Sequence, residues 1–261
     1  MENNSEWITG QIKISINGVP LEMQMTVPAK PVKPQRMLPI FQQMSNSFVE
    51  MGISAVKNSG GKISCEKGCS ACCYQPIPLA EIEAYRIFDL VENLPEPRRA
   101  EIKKRFNEAG RRFYEIGWFE KLDKCAYLSK EEREKVVLEY FYENVACPFL
   151  EDGACSIYQE RPLACREYLV TSPAENCSKP SPTTVHLVEL PIKSAATLRQ
   201  IGDSKNLNAI VNFLPLILAL KWTETNADEF PEKTGERWMA DFFQKLTNSQ
   251  IPKEKNHKDV S

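Results

Sequence analysis

Histidine is nearly missing from this chain: 261 residues contain two, His186 and His257. A histidine general base could only be His186, because His257 sits in a polar tail, and on a short strand His186 reads as a structural residue. Nothing marks the Cys–His pair that a cysteine protease needs. The eleven glycines contain no G-x-G-x-x-G and no P-loop, the backbone cradles for dinucleotides and phosphates. Charge of one sign is not in excess: 33 Lys and Arg face 35 Asp and Glu, for a net charge of −2. There is then no general electrostatic drive toward nucleic acid or a membrane surface, and neither is expected as a partner. Long apolar runs are missing too. The longest, residues 209–220, contains Asn212 and Pro215, is too short to span a bilayer, and reads as a buried helix. The first six residues are acidic and polar, unlike a signal peptide, and no internal repeat is visible. These absences point to a soluble protein of a reducing, cytoplasmic compartment.

What the chain has is cysteine. Cys65, Cys69, Cys72 and Cys73 lie within one short stretch; Cys147, Cys155, Cys165 and Cys177 follow much later. Only Cys125 stands outside both sets, and it reads as a buried apolar residue. The first four sulfurs can converge only if the backbone turns tightly, which Gly68, Ser70 and Ala71 permit. In a reducing compartment such clusters bind metal more often than they form disulfides, and the odd total of nine argues the same way. All eight are candidate metal ligands, for zinc or for an iron–sulfur cluster. They could form two four-thiolate zinc sites, or one cluster with extra thiols nearby. Adjacent Cys72 and Cys73 cannot easily point the same way, so one could ligate while the other packs or serves a second centre. The spacing Cys65-x3-Cys69-x2-Cys72 is that of enzymes holding a [4Fe-4S] cluster with S-adenosylmethionine at its open iron. Arg161 and Arg166 flank Cys165 and are candidate cofactor-binding groups, since their charge would offset buried thiolates. Neither block has the paired spacing of a self-contained zinc finger, so the two should meet in space. No catalytic residue can be named.

Together, Cys65-x3-Cys69-x2-Cys72-Cys73 and the later run resemble the YkgJ-type cysteine-cluster family, also described as a zinc- or iron-chelating domain. The later run reads Cys147-Pro148-Phe149-Leu150, Gly153, Cys155, Ile157-Tyr158, Arg161-Pro162 and Cys165-Arg166. The resemblance covers roughly residues 64–168, with Cys177 as a later ligand, and it implies a metal more firmly than a reaction. The family includes flagellin lysine N-methylases. A methylase here would imply a [4Fe-4S] cluster, S-adenosylmethionine and a protein substrate. Otherwise the metal would be structural, electron-transferring or cargo, and a protein would be the partner.

The rest of the chain predicts a mainly α protein: a helical body with an N-terminal β-hairpin and a cysteine-lined metal centre. In residues 1–27, apolar Ile12, Ile14 and Ile16 alternate with polar residues, as do Val19, Leu21, Met23 and Met25 after Asn17-Gly18. Asn-Gly suits a type I′ turn, which sets Ile16 opposite Val19, Ile14 opposite Leu21 and Ile12 opposite Met23, all on one face. That face should cover the helical core, or else dock a partner. Residues 28–36, with prolines at every third position, read as an extended linker. A helical cysteine-cluster domain follows over 37–249, and residues 250–261 read as a disordered tail.

Helices are expected over 38–58 (Phe41, Met44, Phe48, Met51 and Ala55 inward), 79–94, 98–116 (Ile102, Phe106, Ala109 and Phe113 inward) and from a capping box at Ser129 to about 144. A short hairpin should link Cys147 to Cys155, and a short helix should start near Pro162. A strand is expected over 185–190, and helices near 193–201, 207–222 and 233–246.

Overall fold

The structure is a computed structural model, and it describes residues 6–16, 19–66, 68–181, 183–201 and 214–250. Strands β1 (Trp7–Ile16) and β2 (Val19–Pro28) pair antiparallel, with Ile16 opposite Val19, Ile14 opposite Leu21 and Ile12 opposite Met23. That is the register the alternation predicts; the Asn17–Gly18 turn itself lies outside the described residues. One face is polar: Lys13 pairs with Glu22 at 2.7 Å, and Thr9 Oγ1 meets Thr26 Oγ1 at 2.9 Å. From the other face Ile8, Ile12, Leu21, Met23 and Met25 pack on the helical core, with Val27 fully inside it. The hairpin is thus a lid, as its apolar face requires.

The proline segment after the hairpin is stitched to the far end of the chain. Val32 and Lys233 exchange both backbone hydrogen bonds, at 2.9 and 3.1 Å, and Trp238 Nε1 donates to the Val32 carbonyl at 2.9 Å. A 3-10 turn at Pro34–Met37 then opens α1 (Leu38–Asn58). Phe41, Met44 and Phe48 face the core as expected, but Met51 and Ala55 are exposed. Near its end α1 turns Val49 and Gly52 inward instead. A Cβ on Gly52 would lie 2.7 Å from Leu190 Cδ2 and 3.0 Å from the backbone oxygen of Glu189, so residues 188–190 pack directly on the helix there.

Pro78–Leu79 forms β3, so α2 (Glu81–Glu92) starts two residues later than the periodicity suggests. Then come α3 (Arg98–Glu115), whose four inward residues are all buried, α4 (Trp118–Lys124), which the sequence reading did not set apart, and α5 (Lys130–Tyr142). The capping box forms: Glu132 N donates to Ser129 Oγ at 3.2 Å, and Ser129 N to Glu132 Oε2 at 2.8 Å. Strands β4 (Leu150–Glu151) and β5 (Ala154–Cys155) make the short hairpin, turned by Asp152 and Gly153 with φ of 48° and 74°. Helices α6 (Leu163–Glu167) and α7 (Ser194–Leu198) follow.

Two expectations need correction. The strand over 185–190 reduces to one bridge, Val170 to Leu187. The helix expected over 207–222 does not run through 214–218: Leu214–Pro215 forms β6 against β3, and a 3-10 turn leads into α8 (Ala219–Thr225). Pro215 has no N–H to give a helix, and its fixed φ fits the extended pairing. Residues 207–213 of that expected helix, and the tail from 251, lie outside the described residues. α9 (Gly235–Gln250) closes the fold.

Among the described residues, three apolar clusters result. One joins the hairpin, α1, α7 and α9, with Phe41 stacked on Phe242 at 5.0 Å. A second joins α2, α3 and residues 214–220 around Phe149 and Ile157. A third joins α3, α4 and α5, where Phe113 stacks on Tyr140, Trp118 meets both rings edge-on and Cys125 is buried. None of the described helices is long and apolar enough to cross a membrane.

Candidate metal centre

Three stretches distant in sequence are tied together at the cysteines. Ser64 N donates to Val170 O at 2.9 Å, and Val170 N donates back to Cys65 Sγ at 3.4 Å. Cys147 N donates to Cys73 O at 2.7 Å. The 3-10 turn at Ala71–Tyr74, which carries Cys72 and Cys73, packs on the 3-10 turn at Ala174–Ser178, which carries Cys177. The two cysteine blocks therefore meet. Gly68, with φ of 89°, makes the tight turn between Cys65 and Cys69.

All nine cysteines are free thiols. Cys69 is exposed, Cys177 is buried, and the other six of the two blocks are half-buried. Cys147, Cys155 and Cys165 pack together against the second apolar cluster. Burial pushes Cys147 up to about 12, and neighbouring Cys155 and Cys72 add to this. Burial also raises Cys165, helped by Cys147, Cys72 and Cys155. Cys65 and Cys177 are raised by burial and then by Cys72 and Cys69, with Cys65 also acting on Cys177. Cys72 lies between the sets; a hydrogen bond with Cys73, burial and the charge of Cys73 hold its thiol far above the ordinary range.

Against this pressure toward the neutral thiol, specific donors point at sulfur. Val170 N–H serves Cys65, Phe149 N–H serves Cys147 and Ile157 N–H serves Cys155. The Tyr168 hydroxyl donates to Cys177. Arg161 lowers both Cys72 and Cys155; its Nε is buried without a protein partner, and its guanidinium stacks over Tyr158 at 3.8 Å. Arg166 is held elsewhere: it donates to the carbonyls of Arg161 and Gln159 and to Asn46 Oδ1, so it fixes the segment that leads into α6, the helix bearing Cys165.

Among the described residues, no three His, Cys, Asp or Glu side chains are drawn closely enough together to hold a metal ion as they stand. The donor set nonetheless fits one. Soft thiolates suit zinc or iron–sulfur centres, and N–H groups aimed at sulfur stabilise a thiolate once a cation neutralises the crowd. Residues 64–183 match the family CxxCxxCC, described as "Putative zinc- or iron-chelating domain". The CxxCxxCC segment encloses all nine cysteines, while the N-terminal hairpin, α1 and α7–α9 lie outside it. No curated protein and no solved structure matches the chain.

Two acidic residues that the sequence reading did not single out support this CxxCxxCC domain. Glu83 is buried on α2; its carboxylate accepts Ala80 N at 2.9 Å and Leu163 N at 2.8 Å, fastening the start of α6 just before Cys165. Glu167, pushed up to about 7 by burial, accepts Ser45 Oγ at 3.1 Å and Ala195 N at 3.0 Å. Glu83 at the third position of its helix was the only sequence signal; its second partner is 80 residues away. His186 is exposed and joined to the site's edge by its backbone, with its N–H on Ser172 Oγ at 3.1 Å.

Beside the cysteines lies a cleft of about 450 Å³. It is lined by Arg133, Glu134, Val137, Leu138 and Phe141 of α5 and by Gln75, Tyr168, Pro180 and Ser181.

Proposed function

We propose that the protein binds zinc or iron, the iron as an iron–sulfur cluster, at a centre assembled from both cysteine blocks. One observation carries this reading: free thiols from three separate stretches are tied together by Cys147 N on Cys73 O, by Val170 N on Cys65 Sγ, and by the packing of the turn bearing Cys72 and Cys73 on the turn bearing Cys177. Disulfides would use the thiols differently, and an apolar core would not aim N–H donors at them. Free thiols in this number suit a reducing, cytoplasmic compartment. The test is anaerobic purification followed by metal analysis, absorption and Mössbauer spectroscopy. Bound zinc without colour removes the iron–sulfur form, a cluster spectrum removes zinc, and protein that takes up neither metal overturns the reading.

A second reading, S-adenosylmethionine-dependent methylation of protein lysine with a [4Fe-4S] cluster, is favoured by the cleft. It has an apolar wall for a base and ribose, with Arg133 and Glu134 suited to a carboxylate and an ammonium group. Calorimetry with S-adenosylmethionine on cluster-loaded protein tests it. Binding that disappears in Cys69→Ser supports an open iron, and no heat in fully loaded protein removes the methylase.

A further inference from the structure

We propose that the cleft between the hairpin and α9 is a ligand site for a small amphiphilic amine, its apolar body seated in a gap left by Gly10 and its ammonium group beside Glu236. The residues that line this cleft all lie outside 64–183, so the site is separate from the metal centre.

The gap is a break in a regular pattern. Alternate residues of β1 and β2 face the helical core. Along β1 that row is Ile8, Gly10 and Ile12, and their cross-strand partners are Val27, Met25 and Met23. All of these except Gly10 bring a large apolar side chain to the core. The backbone does not call for glycine there: Gly10 has no positive φ, unlike Gly60, Gly68, Gly117 and Gly153. A Cβ built on Gly10 would meet no atom within 4 Å. Glycine inside a strand weakens it, and a recurring reason for its presence is the close approach of a ligand.

The space so left is a cavity of about 300 Å³. Met239 and Phe243 of α9 supply its other wall, and Ala240 keeps that wall low as Gly10 does on the strand. Natural ligand sites run from roughly 300 to 1,000 Å³, so the cavity suits a small molecule. The flexible thioethers of Met25 and Met239 can adapt to an apolar guest. An unfilled apolar gap between a lid and its core lowers stability, and a β-branched residue at position 10 would serve folding better.

The polar groups of the lining set the class of ligand. Glu236, in the first turn of α9, is the one charged residue among the described residues that line the cleft, and Gln11 adds an amide. A single carboxylate beside an apolar wall attracts an ammonium group with an apolar tail and repels the carboxylate of a fatty acid.

The experiment is isothermal titration calorimetry of the full chain at neutral pH with octylamine, octanol and octanoate, which share a chain and differ in head-group charge. The amine is protonated under these conditions. We expect saturable one-to-one binding of octylamine, weaker binding of octanol and none of octanoate. Gly10→Val should abolish octylamine binding and raise the melting temperature by a few degrees, because its side chain fills the gap. Ala240→Leu should abolish binding from the opposite wall, and it decides the matter if circular dichroism shows that Gly10→Val does not fold. Glu236→Gln should weaken octylamine by about two- to fivefold and remove its preference over octanol. No saturable binding of any of the three probes would overturn the site. So would undiminished binding in a folded Gly10→Val or Ala240→Leu chain. Octanoate held as tightly as octylamine would overturn the choice of an amine.

Discussion

The backbone amide of Cys147 donates to the carbonyl of Cys73 across 2.7 Å, joining residues 74 positions apart. This bond closes the loop that contains α2 to α5 and sets the later thiols beside the earlier ones. Closing a loop of that length opposes folding by chain entropy, and a metal held by both ends offsets the cost.

Metal removal should therefore destabilise the whole domain. If the metal is present at about a thousandfold its dissociation constant, its loss costs about 4 kcal/mol, which lowers the melting temperature by roughly 10 °C for a chain of this size. Differential scanning calorimetry with and without chelator measures it. An unchanged melting temperature after verified metal loss would mean that the thiols are peripheral to folding.

Glu83→Ala should cost about 2–4 kcal/mol by denaturant unfolding, because it strands the buried amides of Ala80 and Leu163. It should also weaken metal binding by releasing the start of α6. Equal metal affinity in a folded, destabilised variant would separate the anchor from the site.

Gly235→Ala should loosen the lid. A Cβ there would lie 2.5 Å from Val27 Cβ and 2.8 Å from Pro28 N, and backbone cannot swing aside as a long side chain can. Overpacking of this kind costs about 1–3 kcal/mol. Lys13→Ala, on the exposed face, should stay within about 0.5 kcal/mol. Hydrogen exchange across β1 and β2 should rise in the first variant alone.

Burial holds the Glu81 carboxyl at about 7, against an ordinary 4.5, and its Oε1 has no hydrogen-bond partner. The folded state thus keeps a proton that the unfolded chain gives up. The stability linked to this group is fully present below about pH 4.5 and is lost as the pH rises through about 7. Glu81→Gln should flatten that slope and stabilise the protein at pH 8 by on the order of 2 kcal/mol. Urea midpoints at pH 5 and pH 8 measure it; parallel pH profiles for the two proteins would refute the assignment.

Much of the architecture was legible in the residues. The Ile and Met alternation around Asn17-Gly18 set the hairpin register, because a period of two with one buried face admits a single pairing. Ser129 and Glu132 set the start of α5, because both bonds of a capping box are local. The cysteine spacing and the run from Cys147 to Arg166 pointed to the chelating family, because ligand chemistry needs particular side chains at particular intervals.

Tertiary structure alone decided the rest, where the partner is distant in sequence. Pro215 broke an expected helix because Pro78–Leu79 offered its segment a strand to pair with. Arg166 was drawn to carbonyls of the segment preceding its helix and Arg161 toward the thiols, though Arg166 is the one adjacent to Cys165 in the sequence. The meeting of Cys177 with the turn of Cys72 and Cys73 depends on the packing of two 3-10 turns about a hundred residues apart. Local spacing carries no record of such a contact, because its energy comes from surfaces that exist only once the chain has folded.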